Sequence, residues 1–367
     1  MTGIYISVPF CPQKCTYCNF ASGIFQRHIV ASYLRALESE IRHGEWIRPV
    51  DSVYFGGGTP SLLETSQIAS IVATLNPIEE AEITLEASPL TLTPEKVRAW
   101  VRLGVNRISL GVQSFVPREA LASGRKHTPE DVGREIQILQ EAGVSNINVD
   151  LIAGLAYQNE ASWEVSLDWV ERVQPSHVSV YMLEVDDESH LGEELRTGGR
   201  RFDADQVPNE DQVAEFYERA VERLETMGLR RYEISNFAAN GDESQHNLKY
   251  WNLQPYIGFG SDAHSFSGEH RWQNVKTAAE YIERTTNGKN LRSKEWKVSA
   301  EQRSEEKFIT GLRQMAGINP TDTEWRRYAG SLNRLHSRGW LSIAENRRIR
   351  LTSEGVMYSN EVFQEFL

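Results

Sequence analysis

IYISVPFCPQKCTYCNF, residues 4–20, runs from a short β-branched segment straight into a loop that holds every cysteine of the chain. An apolar run that stops at proline predicts a buried strand, and chemistry-bearing residues placed just past it predict a site at its C-terminal end. The same arrangement recurs outward from this stretch. "SVYFGGG", "EITLEA", "VNRISLGV", "NINVDLIAGL" and "HVSVYML" read as five further strands, and "GGGTP", "EASP", "GVQSF" and "DLIAGL" fall at or just past strand ends. Amphipathic stretches connect them: from Arg27 to Ile41 the residues Ile29, Tyr33, Leu37 and Ile41, with Val30 and Leu34, make one apolar stripe. Strands separated by helices of this length pair in parallel through right-handed crossovers. The expected fold is therefore α/β, an open partial (β/α)6 barrel whose chemistry gathers at the C-terminal mouth of the strands.

Cys11, Cys15 and Cys18 sit at i, i+4 and i+7, a spacing that turns three sulfurs toward one centre. Structural zinc takes four protein ligands, so a zinc site would have to recruit a distant histidine. Three thiolates suit a 4Fe-4S cluster that leaves one iron open to a substrate. Chelation of S-adenosylmethionine by that iron would place the sulfonium beside an electron source, giving a 5'-deoxyadenosyl radical on reduction. Both uses remain open on the residues alone.

Composition narrows the setting. The 367 residues carry a formal charge of −12, which argues against a broad electrostatic grip on nucleic acid or on an anionic bilayer. With no long apolar run and no leader-like N-terminus, the expected location is the cytoplasm. The chain divides into 1–238 as the barrel, 239–298 as a connecting segment and 299–367 as a smaller, mainly helical module. "GWLSIAENRRIRLTSEG" in the last part predicts a hairpin turning at Glu345-Asn346, a winged-helix-like order of elements. The charged stretch from Glu193 to Glu210 reads as a loop leading into a helix that starts near Asp211.

An aromatic before the last cysteine, Tyr17-Cys18, completes a C-x3-C-x2-C pattern that resembles the radical S-adenosylmethionine superfamily. "GGGTPSLL", "GVNRISLGVQSF", "GRKH", "DLIAGL", "YEISNFA", "HNLKYW" and "YIGFGSDAHSF" follow in the order of the HemN/HemW family, so the resemblance covers nearly the whole chain. It implies that Cys11, Cys15 and Cys18 ligate a 4Fe-4S cluster. It also implies that Tyr5, Gly57, Gly58, Thr59, Glu86, Gln113, Arg125 and Asp150 bind S-adenosylmethionine; in the dehydrogenase branch some of these positions serve a second cofactor molecule. Ser7, Ser88 and Ala156 stand where the family usually has histidine, asparagine and proline.

Phe20 separates two branches. The oxygen-independent coproporphyrinogen III dehydrogenases typically have a fourth cysteine there and a longer N-terminal extension, whereas the HemW branch is associated with binding haem and delivering it. The resemblance thus implies a haem chaperone, with haem as cargo and a membrane-bound haem-enzyme recipient, itself peripheral at the membrane during delivery. The alternatives are radical decarboxylation of coproporphyrinogen III and radical methyl transfer or cyclopropanation. "HNLKYW" matches the branch pattern H-N-x-x-Y-W, and His246 is the candidate haem ligand, with Tyr250 and Trp251 as flat neighbours. His264 is a second candidate.

Overall fold

The structure, a computed structural model, describes residues 1–18, 23–24, 26–44, 46–183 and 189–367. Six strands, β1 (Thr2–Val8), β2 (Val50–Gly57), β3 (Glu82–Ala87), β4 (Arg107–Gln113), β5 (Asn146–Ala153) and β6 (His177–Met182), pair in parallel in sequence order. They coincide with the six expected strands, and the expected helix is present as Arg27–His43.

Alternation along these strands sets the architecture, because successive side chains point to opposite faces. One face is apolar. Ile4, Ile6, Val53, Phe55, Ile83, Leu85, Ile108, Leu110, Val149, Leu151, Val178 and Val180 are buried in one core with helical residues such as Leu37, Ile71, Trp100, Ile136 and Leu167. Each such aliphatic side chain contributes about 1.5–3 kcal/mol by leaving water. The other face is polar: the register aligns Tyr5 with Tyr54, Tyr54 with Thr84, Glu86 with Ser109, Ser109 with Asn148, and Asp150 with Ser179. The sheet therefore encloses a lumen lined by hydrogen-bonding and charged groups.

The sheet continues past both ends of this set. Beyond β6 lies the antiparallel strand Asn236–Ala238. Beyond β1 lies Tyr256–Phe259, parallel to β1, followed by the antiparallel run His264–Phe266, His270–Asn274 and Arg292–Lys297. The segment 239–298 thus supplies four strands to the same sheet. The outermost of them, Arg292–Lys297, is largely exposed and densely charged, which discourages pairing with another chain.

One expectation is corrected. Within the stretch read as a loop, His190–Thr197 is a helix and Arg201–Gln206 a short 3-10 segment. Ser189 caps the helix through the Gly192 N–H, and Gly198 ends it at φ 67°, a left-handed conformation that favours glycine. The following helix, Glu210–Thr226, is capped by Asn209. At the C-terminal side, helices Ala300–Gly311 and Asp322–Ser337 precede a hairpin, Leu341–Ile343 with Ile349–Leu351, around a core of Phe308, Tyr328 and Phe366. Among the described residues no helix is long and apolar enough to cross a membrane.

Candidate cluster and cofactor site

Two neighbouring turns build the cysteine loop. "GGGTP" folds onto the chain just before Cys11: Gly58 N–H donates to the Val8 carbonyl (2.8 Å) and Thr59 N–H to the Phe10 carbonyl (2.8 Å). A side chain at Gly58 would bring Cβ within 2.5 Å of the Phe10 carbonyl oxygen, so only glycine permits the approach. From the other side, Thr16 N–H donates to the Ser123 carbonyl (3.4 Å), and Gly124, at φ 93°, packs against Cys15. Cys15 is buried, Cys11 and Cys18 are half-buried, and the three form no disulfide. Among the described residues no three His, Cys, Asp or Glu side chains group closely enough to hold a single ion. A cubane cluster does not require such a group, because each thiolate binds a different iron. Phe20, which separates the two branches in sequence, lies outside the described residues.

Arg125 joins this loop to the lumen. Its guanidinium donates to Ser88 Oγ (2.8 Å) and to the Tyr17 hydroxyl. Burial works against its charge, but Tyr17, Cys15 and Cys11 around it raise its pKa overall. Ser88, where the family usually has asparagine, thus keeps a hydrogen bond. The buried Nε of Arg125 has no hydrogen-bond partner, a donor that an acceptor on a ligand would satisfy.

Two strand glycines open notches in the lumen wall. A Cβ at Gly56 would meet Tyr54, Tyr5 and Glu86, and one at Gly111 would meet Gln113 Nε2 and Arg125 Nη2. The structure thus brings Tyr5 and Glu86 together at the first notch and Gln113 and Arg125 at the second. Glu86 accepts from Tyr54 Oη (2.9 Å) and the Gly57 N–H (3.2 Å). Burial pushes its pKa up to about 7, with Asp150 adding to the rise and the two hydrogen bonds and Arg107 opposing it. Asp150 accepts from Asn148 Nδ2 (2.7 Å) and Ser109 Oγ (3.3 Å), and its pKa is likewise raised by burial. Gln113 holds φ 71°, a strained conformation of the kind that clusters at ligand sites.

His246 is not part of this mouth. The helix Gln245–Trp251 closes the opposite end of the lumen: Glu82, at the start of β3, accepts from the N–H groups of Gln245 and His246 (2.9 Å each). Lys249 pairs with Asp51 (2.8 Å) near the start of β2. Gly3 makes room, since a Cβ there would lie 2.7 Å from Lys249 Cδ and 3.2 Å from His246 Cε1. The His246 ring is fully buried, with Nδ1 bonded to Ser52 Oγ (2.9 Å) and Nε2 to Tyr250 Oη (2.8 Å). Burial, Lys249 and Arg107 bring its pKa down to about 3. Both ring nitrogens are hydrogen-bonded inside the barrel. Trp251, the last residue of the motif, packs under Arg313 (4.6 Å), and its carbonyl accepts from Thr310 Oγ1 (3.3 Å). "HNLKYW" is a structural joint: its histidine, lysine and tyrosine seal the barrel, and its tryptophan docks the C-terminal helices. His264, by contrast, is exposed at the start of its strand.

Three lumen residues were not singled out in the sequence. Tyr54 orients Glu86. Arg107, almost completely buried, lies between the strands of Glu86 and Asp150. Tyr181, on β6, is 43% exposed, yet Asp150, Glu233 and Glu86 act on its hydroxyl, so its exposed surface faces the open lumen. A cation inside the otherwise apolar run "VNRISLGV" was the legible signal for Arg107.

A parallel sheet with a three-cysteine loop after its first strand defines the class: residues 5–170 match the model of the radical SAM superfamily. Across its whole length the chain is 33% identical to the "Heme chaperone HemW" of Bacillus subtilis, covering 100% of this chain and 99% of that protein. It is 30% identical to the HemW of Lactococcus lactis, covering 99% and 96%. The chain belongs to the HemW family of radical SAM proteins. Its structure is similar to that of coproporphyrinogen III oxidase (HemN) from Escherichia coli, with a TM-score of 0.86 over 100% of this chain and 89% of that one; at 22% identity this speaks for the fold alone.

Proposed function

We propose that the protein is a haem chaperone that carries a 4Fe-4S cluster and S-adenosylmethionine at the barrel mouth and passes haem to a recipient haem protein. The observation that carries this reading is the full-length match to proteins named as haem chaperones. The residues fit both resident groups. Cys11, Cys15 and Cys18, reduced and on one loop, would hold the cluster. Gly57, Gly58 and Thr59 would present backbone to the amino group of S-adenosylmethionine, Glu86 and Asp150 would accept from its donors, and Arg125 would satisfy its free Nε on an acceptor. Tyr5 lies beside the first of the two notches and Gln113 beside the second. When bound, the cluster and S-adenosylmethionine supply one-electron chemistry; the protein holds them, with Arg125 and Tyr17 behind the cysteines.

Haem is cargo in this reading, and its iron ligand is sought away from the helix Gln245–Trp251, the plug of the lumen. Of the two candidate histidines, only His264 is an exposed residue. An anaerobic haem titration of the cluster-reconstituted protein, run beside His264→Ala, tests this. Saturable one-to-one binding is expected, weakened in the variant, with no conversion of coproporphyrinogen III to protoporphyrinogen IX by the same preparation. Efficient conversion would replace the chaperone reading with the decarboxylase one.

A further inference from the structure

Arg107 begins β4 with its side chain in the lumen and is only 2% exposed. Its Nε and Nη1 have no hydrogen-bond partner, and the hydroxyl of Thr84, directly across on β3, has none either. A buried guanidinium with open donors is costly unless negative charge lies near it. The neighbouring histidines cannot supply that charge. His246 is bonded at both nitrogens within the plug. His177 is bonded at both as well, to Asn148 Oδ1 (2.6 Å) and Tyr232 Oη (2.9 Å). Two lower carboxylates are already engaged: Glu82 caps the plug helix, and Glu233 is held by Arg313 and Asn236. Asp242, partly exposed beside the plug, also feels Arg107. Glu86 and Asp150 remain, one on the strand to each side of Arg107 and higher in the same lumen.

We propose that Arg107 is a positioning residue for the cofactor pocket: a buried counter-charge, fixed on the strand between Glu86 and Asp150, that keeps both available as hydrogen-bond acceptors for a ligand in the mouth. The inference rests on the reading that these two carboxylates bind S-adenosylmethionine. The other groups facing Glu86 are the Tyr54 hydroxyl and Gly57 N–H from β2, Tyr5 from β1, Asp150 from β5, Tyr181 from β6 and Tyr250 from the plug. Those facing Asp150 are Ser109, Asn148, Ser179, Tyr54 and Tyr181. Arg107 acts on both carboxylates and opposes the rise in each pKa. A carboxylate accepts more strongly from an ammonium or a ribose hydroxyl when ionised than when protonated, so binding weakens as falling pH protonates it. Removing the nearby positive charge moves that protonation to higher pH.

The test is calorimetric binding of S-adenosylmethionine to the anaerobic, cluster-loaded protein from about pH 5.5 to about pH 9. The wild type is expected to lose affinity below about pH 7. In Arg107→Gln the loss is expected to begin about one unit higher, giving about fivefold weaker binding at pH 7 and near-equal binding at the alkaline end. Arg107→Lys keeps the charge and is expected to keep the wild-type midpoint, which leaves the inference testable if the glutamine variant fails to fold. An unshifted midpoint in a folded glutamine variant, or a midpoint displaced in the lysine variant, would overturn the role of Arg107. Failure of the wild type to bind at any pH would overturn the cofactor reading itself and this inference with it.

Discussion

His246→Ala is expected to destabilise the protein by about 4 kcal/mol, measured by equilibrium urea unfolding of the apo chain at pH 7.5. The substitution empties a site that is fully buried and leaves two hydroxyls, Ser52 and Tyr250, without the ring that satisfies them. An unsatisfied buried polar group costs about 1–3 kcal/mol, and the cavity adds to it. The loss also removes a contact with Tyr54, whose ring lies 5.3 Å from the imidazole and whose hydroxyl orients Glu86.

The pH dependence follows from the sign of the shift. The folded pKa is depressed to about 3, whereas an unfolded histidine titrates near its ordinary 6.5. The stabilisation by the neutral ring is therefore fully present above about pH 6.5 and is lost as pH falls toward 3. The gap between wild type and variant is expected to narrow by about 2 kcal/mol on going from pH 7.5 to pH 5. A variant as stable as the wild type at both pH values would show that the ring is not a structural element of the plug. The same reasoning bears on haem binding: a loosened plug and a lost iron ligand would both reduce it in His246→Ala, so binding is read beside the stability of the variant.

The second large effect concerns the cluster. Cys15→Ala is expected to hold less than about a tenth of the wild-type iron and sulfide after anaerobic reconstitution, because in the proposed reading three thiolates are the whole protein ligand set. Stability should change by less than about 2 kcal/mol, since one small side chain is shortened and the backbone bonds of the loop do not use it. Iron and sulfide analysis beside thermal unfolding separates the two effects. Wild-type iron content in a folded Cys15→Ala protein, or stoichiometric zinc in the wild type, would contradict the assignment of the loop.

Much of this was legible in sequence, for physical reasons. The six strands announce themselves because their outward faces are runs of Ile, Val, Leu and Phe that must be covered by helices, and the glycine-rich turns mark their ends. The inward face was harder to see. Arg107, Ser109 and Asn148 look like interruptions of apolar strands until the register shows that Ser109 and Asn148 pair on one face with Arg107 two residues before Ser109. The helix His190–Thr197 carried its own signals, a serine cap and a terminal glycine, but its charge content hid them. "HNLKYW" was hard to read for a different reason. Whether an imidazole is free to bind iron depends on its partners, and Ser52 lies 194 residues away in the chain. No local pattern reveals that both nitrogens are taken.

Haem transfer decides between a chaperone and an enzyme. Haem-loaded, cluster-reconstituted protein is mixed anaerobically with an apo haem protein in the presence of S-adenosylmethionine, and the recipient's absorption spectrum and regained activity are followed. The chaperone account predicts transfer in proportion to the haem supplied, faster than from free haem and lost in Cys15→Ala. Transfer no faster than from free haem, together with turnover of coproporphyrinogen III, would contradict it.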